Sequence, residues 1–133
     1  MTILCISFAT SCTNPSSKCK DILENAISSQ GRGYLKMKDF QKLDAVEGSE
    51  GGVPYYNIKY NVMVECVKEN GWVSERNGEL EELSVWDTEC KGTGYNILCH
   101  HTQLKMGATY TIHNSMTLTK HENGWVALPN APF

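Results

Sequence analysis

A thiol and two imidazoles stand together in one place, Cys99-His100-His101. A cysteine nucleophile needs an adjacent base and usually a third group to orient that base. Successive side chains of a strand face opposite sides, so only Cys99 and His101 could act jointly. The stretch reads as a strand with one Cys inward and one His outward, not as a catalytic pair. His113 and His121 lie eight residues apart on one polar face, which is about 27 Å at ~3.4 Å per strand residue, too far to share a metal. Glu79, Glu81 and Glu82 could suggest paired carboxylates, but a charge run beside a turn reads as a solvated edge. Tyr55, Tyr56, Tyr60, Tyr95 and Tyr110 could line a pocket, and Tyr56 and Tyr60 at strand spacing read as core with a hydroxyl at the rim. No G-x-G-x-x-G, P-loop, H-E-x-x-H or G-x-S-x-G occurs, so no catalytic residue, metal or cofactor is expected.

The composition narrows the class. A chain of 133 residues and 14.9 kDa has room for one domain with a single core. Its net charge is -3 and its 12 Lys and Arg are spread singly, which leaves no footprint for phosphate backbones and excludes nucleic acid as an expected partner. No stretch approaches the ~20 apolar residues of a spanning helix. Six cysteines are many for so short a chain, yet no C-x-x-C knuckle is present. Export with disulfides, or several buried free thiols, would account for them.

The pattern of apolar residues gives the elements that must position these side chains. Thr13 to Ser17 reads as a tether, followed by a helix that Ser16 or Ser17 caps. Cys19, Ile22, Leu23, Ala26 and Ile27 form its buried stripe, and Gly31 and Gly33 stop it. Tyr34 to Leu43 is a first strand and Asp44 to Gly52 a loop. Tyr56, Ile58, Tyr60, Val62, Val64 and Cys66 then share the inner face of the clearest strand, with Asn57, Lys59, Asn61 and Glu65 outward. A return strand begins at Trp72, a further strand covers Glu79 to Val85, and Trp86 to Gly94 is irregular. Tyr95 to Leu104 is another strand. In the next, Tyr110, Ile112, Met116 and Leu118 face inward and Thr109 through His121 at alternate positions outward, as when one sheet face meets water. A last short strand runs from Trp125 to Leu128.

The pentapeptide Glu-Asn-Gly-Trp-Val occurs at 69–73 and again at 122–126. Asn-Gly between alternating runs is a strong hairpin signal, and both copies are expected to close hairpins of one sheet. The offset between them is odd, so aligning the copies lays inward Val62, Val64 and Cys66 on outward Ser115, Thr117 and Thr119. That opposes a duplication, because a side-chain period of two fixes the buried face.

Two resemblances follow from these residues. Ile3 to Ala9 is a short apolar run, and Ala9-Thr10-Ser11-Cys12 resembles the lipobox of a bacterial lipoprotein leader. The resemblance implies a leader over 1–11, an anchor and tether over 12–17 with palmitate-type lipidation of Cys12, and an address at the membrane face of the bacterial cell envelope. A single domain would then cover 18–128 and a tail 129–133. Export would also leave Cys19, Cys66, Cys90 and Cys99 in an oxidising compartment. These four allow three pairings, of which Cys90–Cys99 is the one expected, because the loop between them bears glycines and can bend back; closing it would contribute about 2 to 3 kcal/mol.

One helix followed only by strands is an α+β plan, with the helix packed on a curved antiparallel sheet of four to six strands. This plan resembles the cystatin-like and NTF2-like folds. Asp44-Ala45-Val46-Glu47-Gly48 resembles the cystatin Gln-x-Val-x-Gly loop at Val46 and Gly48, which implies inhibition of cysteine proteases. Three readings result: a non-enzymatic envelope lipoprotein that binds or assembles with a protein or small ligand, a cystatin-type inhibitor acting through Val46 and Gly48, and, by analogy of fold alone, an NTF2-like pocket enzyme.

Overall fold

The computed structural model describes residues 14–89 and 101–128. Helix α1 covers Pro15–Gln30. Asn14 caps it, its side-chain Oδ1 accepting from the Ser17 amide at 2.8 Å. Proline at N1 loses nothing there, since that amide has no intrahelical acceptor. The cap therefore stands two or three residues before the serines expected in that role, and residues 15–17 of the expected tether are helical. Cys19, Leu23 and Ile27 are fully buried, with Ile22 and Ala26 packed beside them. Gly31 ends the helix, its amide bonding the Ile27 carbonyl at 2.9 Å.

Among the described residues seven strands follow: β1 (Leu35–Glu50), β2 (Val53–Cys66), β3 (Trp72–Arg76), β4 (Glu79–Leu80), β5 (His101–Gln103), β6 (Thr109–His121) and β7 (Gly124–Ala127). They form an open, mostly antiparallel sheet in the order β1-β2-β6-β4-β3-β5, with β7 also on β6. The helix-on-sheet plan holds, and the strand count exceeds the expected four to six. Glu79 to Val85 yields only the two-residue β4, and the expected strand from Tyr95 is described only over His101–Gln103.

The expected loop over 44–52 is instead paired strand. The ladder between β1 and β2 runs from Leu35↔Cys66 to Glu50↔Val53 and is interrupted by bulges at Lys38 and Leu43. Only Gly51 and Gly52 turn the chain, at φ 58 and 82. Two adjacent residues at positive φ make the tight turn whose twist suits a hairpin, so no longer loop is needed. Gly48 sits opposite Tyr55 in this ladder, and its missing side chain is what the Tyr55 ring uses: a Cβ there would lie 2.5 Å from the ring.

The three Asn-Gly pairs have three outcomes. Asn77-Gly78, at φ 53 and 83, closes the β3–β4 hairpin, with Arg76↔Glu79 the last pair. At the second pentapeptide the loop residues are Glu122 and Asn123, and Gly124, at φ 115, already pairs with His121. The first pentapeptide closes no hairpin: β2 is flanked by β1 and β6, and Trp72 pairs with Gln103 and Trp86. The reason is packing under Gly71, where a Cβ would meet the Tyr34 ring and the Val85 side chain at 2.8 Å. The chain is drawn toward Tyr34, whose carbonyl accepts from Val67 N–H at 2.8 Å, and is led away from β2.

The core lies between α1 and the inner sheet face. Ile58, Tyr60, Val62, Val64 and Cys66 of β2 join Tyr110, Ile112, Met116 and Leu118 of β6 there, as their alternation requires. Phe40 and Trp125 extend it, with ring centroids 6.1 Å from Tyr60 and Tyr56 respectively. Cys19 and Cys66 are buried free thiols, and burial pushes Cys19 up to about 12. Cys12, Cys90 and Cys99 lie outside the described residues.

Two outcomes are expected from this packing. Ile58→Ala leaves a cavity in a close-packed centre and should lower unfolding free energy by roughly 2 to 5 kcal/mol in denaturant titration, whereas Gly71→Ala, which overfills its site, should cost about 1 to 3 kcal/mol. The thiols of Cys19 and Cys66 should resist iodoacetamide at pH 8 in the folded protein and react once denaturant is added, since only the thiolate is nucleophilic; alkylation at equal rates in both states would contradict their burial in the core.

Candidate binding surface

The outer face of the sheet is built from the other half of each strand. β2 turns Tyr55, Asn57, Lys59 and Asn61 outward, and β6 places Thr119, Thr117, Ser115 and His113 beside them in register. Most of this face is polar. At the hairpin end it is not: Val46, Val126, Leu128 and Val53 are 54%, 49%, 42% and 39% exposed.

A shallow concavity of about 760 Å³ opens there, with Val46, Val53, Tyr55 and Leu128 around Asn57, Thr117, Thr119 and His121. Glu50 also lines it, and two polar pairs lie within it. Asn57 Nδ2 donates to Thr117 Oγ1 at 2.6 Å, and Thr119 Oγ1 lies 2.8 Å from His121 Nε2. A partner can cover the valines without breaking these two contacts, and covering apolar surface is favourable by roughly 25 cal/mol per Å². Small apolar rims over a few fixed polar groups are the usual lining of binding sites.

Val46 and Gly48, expected in an exposed loop, thus lie within β1 near its turn. Val46 contributes its side chain to the concavity, and Gly48 contributes space for the Tyr55 ring. Sequence reasoning singled out Val46 through its motif but missed Val53, Val126 and Leu128. Their signal was present as apolar residues at outward positions, yet whether such residues form one patch depends on strand neighbours.

The residues considered for chemistry are dispersed. His113 Nδ1 contacts Asn61 Oδ1 across the β2–β6 ladder, and its Nε2 is 3.9 Å from Glu79 Oε2. His121 is held by Thr119 at the far end of the strand. Glu81 accepts from Ser74 Oγ at 2.9 Å and faces Arg76 at 3.7 Å. Of Cys99 and His100 nothing is described, and of His101 only that it begins β5.

A second polar cluster ties the helix exit to the segment after β4. Arg32 donates to the Val85 carbonyl at 3.2 Å and to Asp87 Oδ2 at 2.9 Å, while Tyr34 Oη donates to Asp87 Oδ1 at 3.1 Å. Lys68 Nζ stands 4.7 Å from the Tyr34 ring centroid. The hydrogen bonds from Arg32 and then Tyr34 hold the Asp87 carboxyl below its ordinary range. A carboxyl depressed in the folded state stabilises it above the unfolded pKa and loses that contribution as pH falls through the folded value. In acid titrations of stability, Asp87→Asn should accordingly reduce the loss below about pH 4 and leave the slope near pH 7 unchanged; an identical acid limb in both proteins would remove the role assigned to Asp87.

Compared with known protein families, characterised proteins and solved structures, the chain matches none.

Proposed function

We propose that the chain is a non-enzymatic lipoprotein of the bacterial cell envelope, held at the membrane through Cys12 and acting by binding or assembly. The observation that carries the binding reading is the exposed apolar concavity at the hairpin end, where Val46, Val53 and Leu128 stay accessible on a mostly polar sheet face. Apolar side chains gathered on one solvent-facing patch mark interaction sites more than isolated ones do. The lipobox-like Ala9-Thr10-Ser11-Cys12 supports the anchor. The kinship of plan with cystatin-like and NTF2-like folds is supported by one helix packed across an antiparallel sheet. No described helix is long and apolar enough to cross a membrane, so attachment in this reading is by lipid.

A second reading, a cystatin-type inhibitor, is favoured by the exposure of Val46 within that same concavity.

Two measurements separate these readings. Cells expressing the chain with a palmitate analogue should incorporate label, and Cys12→Ser should abolish it; label that survives the substitution, or none at all, rejects the anchor. Purified protein should leave a papain-like protease active at micromolar concentration. Inhibition that Val46→Asp removes would instead establish the second reading.

A further inference from the structure

Among the described residues the sheet is interrupted along one side of β6. One edge of that strand is covered by β2 along its length. The other edge is shared by two short strands, β4 at Glu79↔Thr111 and β7 from Leu118↔Ala127 onward. The Thr111 amide donates to the Gly78 carbonyl at 2.9 Å, and the Thr117 carbonyl accepts from the Leu128 amide at 3.1 Å. Backbone groups of alternate strand residues turn to the same edge, so those of His113 and Ser115 face the interval between β4 and β7. Among the described residues no strand pairs with them, and His113, Asn114 and Ser115 are exposed. The interval spans about 20 Å at ~3.4 Å per residue.

A cleft of about 840 Å³ opens at this interval, bounded by Ser29 and Gln30 at the helix end, by Glu79 to Ser84, and by Ile112 to Asn114. Its charged lining is mainly acidic. Glu79, Glu81 and Glu82 stand against Arg32, whose guanidinium is already engaged by Asp87 and the Val85 carbonyl.

The long outer edge at β1 is handled differently. It carries two bulges and the lysines Lys36, Lys38 and Lys42, the devices by which natural sheets discourage added strands. At the β6 interval the described guard is slight: Asn114 Oδ1 accepts from the Ser115 amide at 2.9 Å. A side chain that caps an edge amide can swing away when another carbonyl arrives.

We propose that the open edge of β6 at His113 and Ser115 receives an extended peptide segment bearing Lys or Arg side chains, which adds a strand and sets its cations against Glu79 and Glu82, beside the Glu81 carboxylate that Ser74 and Arg76 already hold. Main-chain pairing would supply affinity and the carboxylates selectivity, as in other cases of strand addition to a sheet edge. This site is separate from the concavity at the hairpin end.

The probe is an acetylated, amidated hexapeptide alternating Lys and Thr, titrated into the full chain and followed by amide shifts and hydrogen exchange. Saturable binding is expected, with shifts clustered over residues 111–117, slowed exchange at His113 and Ser115, and weakening as salt is raised. Asn114→Ala, which uncovers the Ser115 amide, should bind the peptide more tightly. Ser115→Pro, which removes that edge amide, should bind at least about tenfold more weakly, and Glu82→Lys should weaken binding and flatten its salt dependence in a protein whose ladder is untouched. N-methylation of alternate peptide amides should abolish binding. The proposal is overturned by equal binding of the N-methylated peptide or of a Glu-Thr counterpart, by shifts confined to Val46 and Val53, or by no saturation at concentrations on the order of millimolar. Protection of the same amides by self-association would assign the edge to a second copy, and binding seen only after removal of residues 129–133 would assign it to the chain itself; either result rejects an external basic segment.

Discussion

The pairing of β2 with β6 is the constraint on which the rest of the molecule depends. It runs in one register from Tyr55↔Thr119 to Glu65↔Thr109. A shift of one residue would turn one strand over against the other, sending either Ile58 and Val62 or Ile112 and Met116 into water and bringing Lys59 and Asn61, or His113 and Ser115, under the helix. That register therefore decides the core and the outer face together. The helix stripe of Cys19, Leu23 and Ile27 only completes a surface that these two strands define.

The termini of this central pair are handled by glycine, in different ways. Gly51 and Gly52 supply positive φ at the β1–β2 turn, a backbone conformation that side chains with a Cβ resist. Gly48 and Gly71 are required for space: each lets a tyrosine ring lie where a Cβ would collide. In one case the ring shapes the exposed concavity. In the other it fixes the departure of the chain from β2 and gathers Lys68, Asp87 and Arg32 around Tyr34.

The same departure explains why, among the described residues, one edge of β6 is incompletely covered. A β2–β3 hairpin would have kept consecutive strands adjacent, the commoner arrangement. Because β3 is instead carried to the far side of β6, it reaches the sheet only through the two-residue β4, and β7 returns to β6 from the opposite end. Neither is long enough to meet the other. The acidic cleft and the exposed backbone at His113 and Ser115 are consequences of topology more than of local preference.

What the sequence determined by itself is the division of residues into faces. The inward sets of α1, β2 and β6 are legible from spacing alone, because burial of alternate strand positions and of one helix stripe is dictated by backbone geometry. The α+β plan follows from their order. Only the tertiary structure decided which strands are neighbours. Periodicity reports which side of a strand is buried and says nothing of what lies beside it, so the Asn70-Gly71 hairpin was expected and did not form, while residues 44–50 were expected in a loop and are paired through β2. The candidate surface divides in the same way: Val46 stood out through its motif, but its company with Val53, Val126 and Leu128, drawn from both sides of the central pair, exists only once β1, β2, β6 and β7 are set side by side.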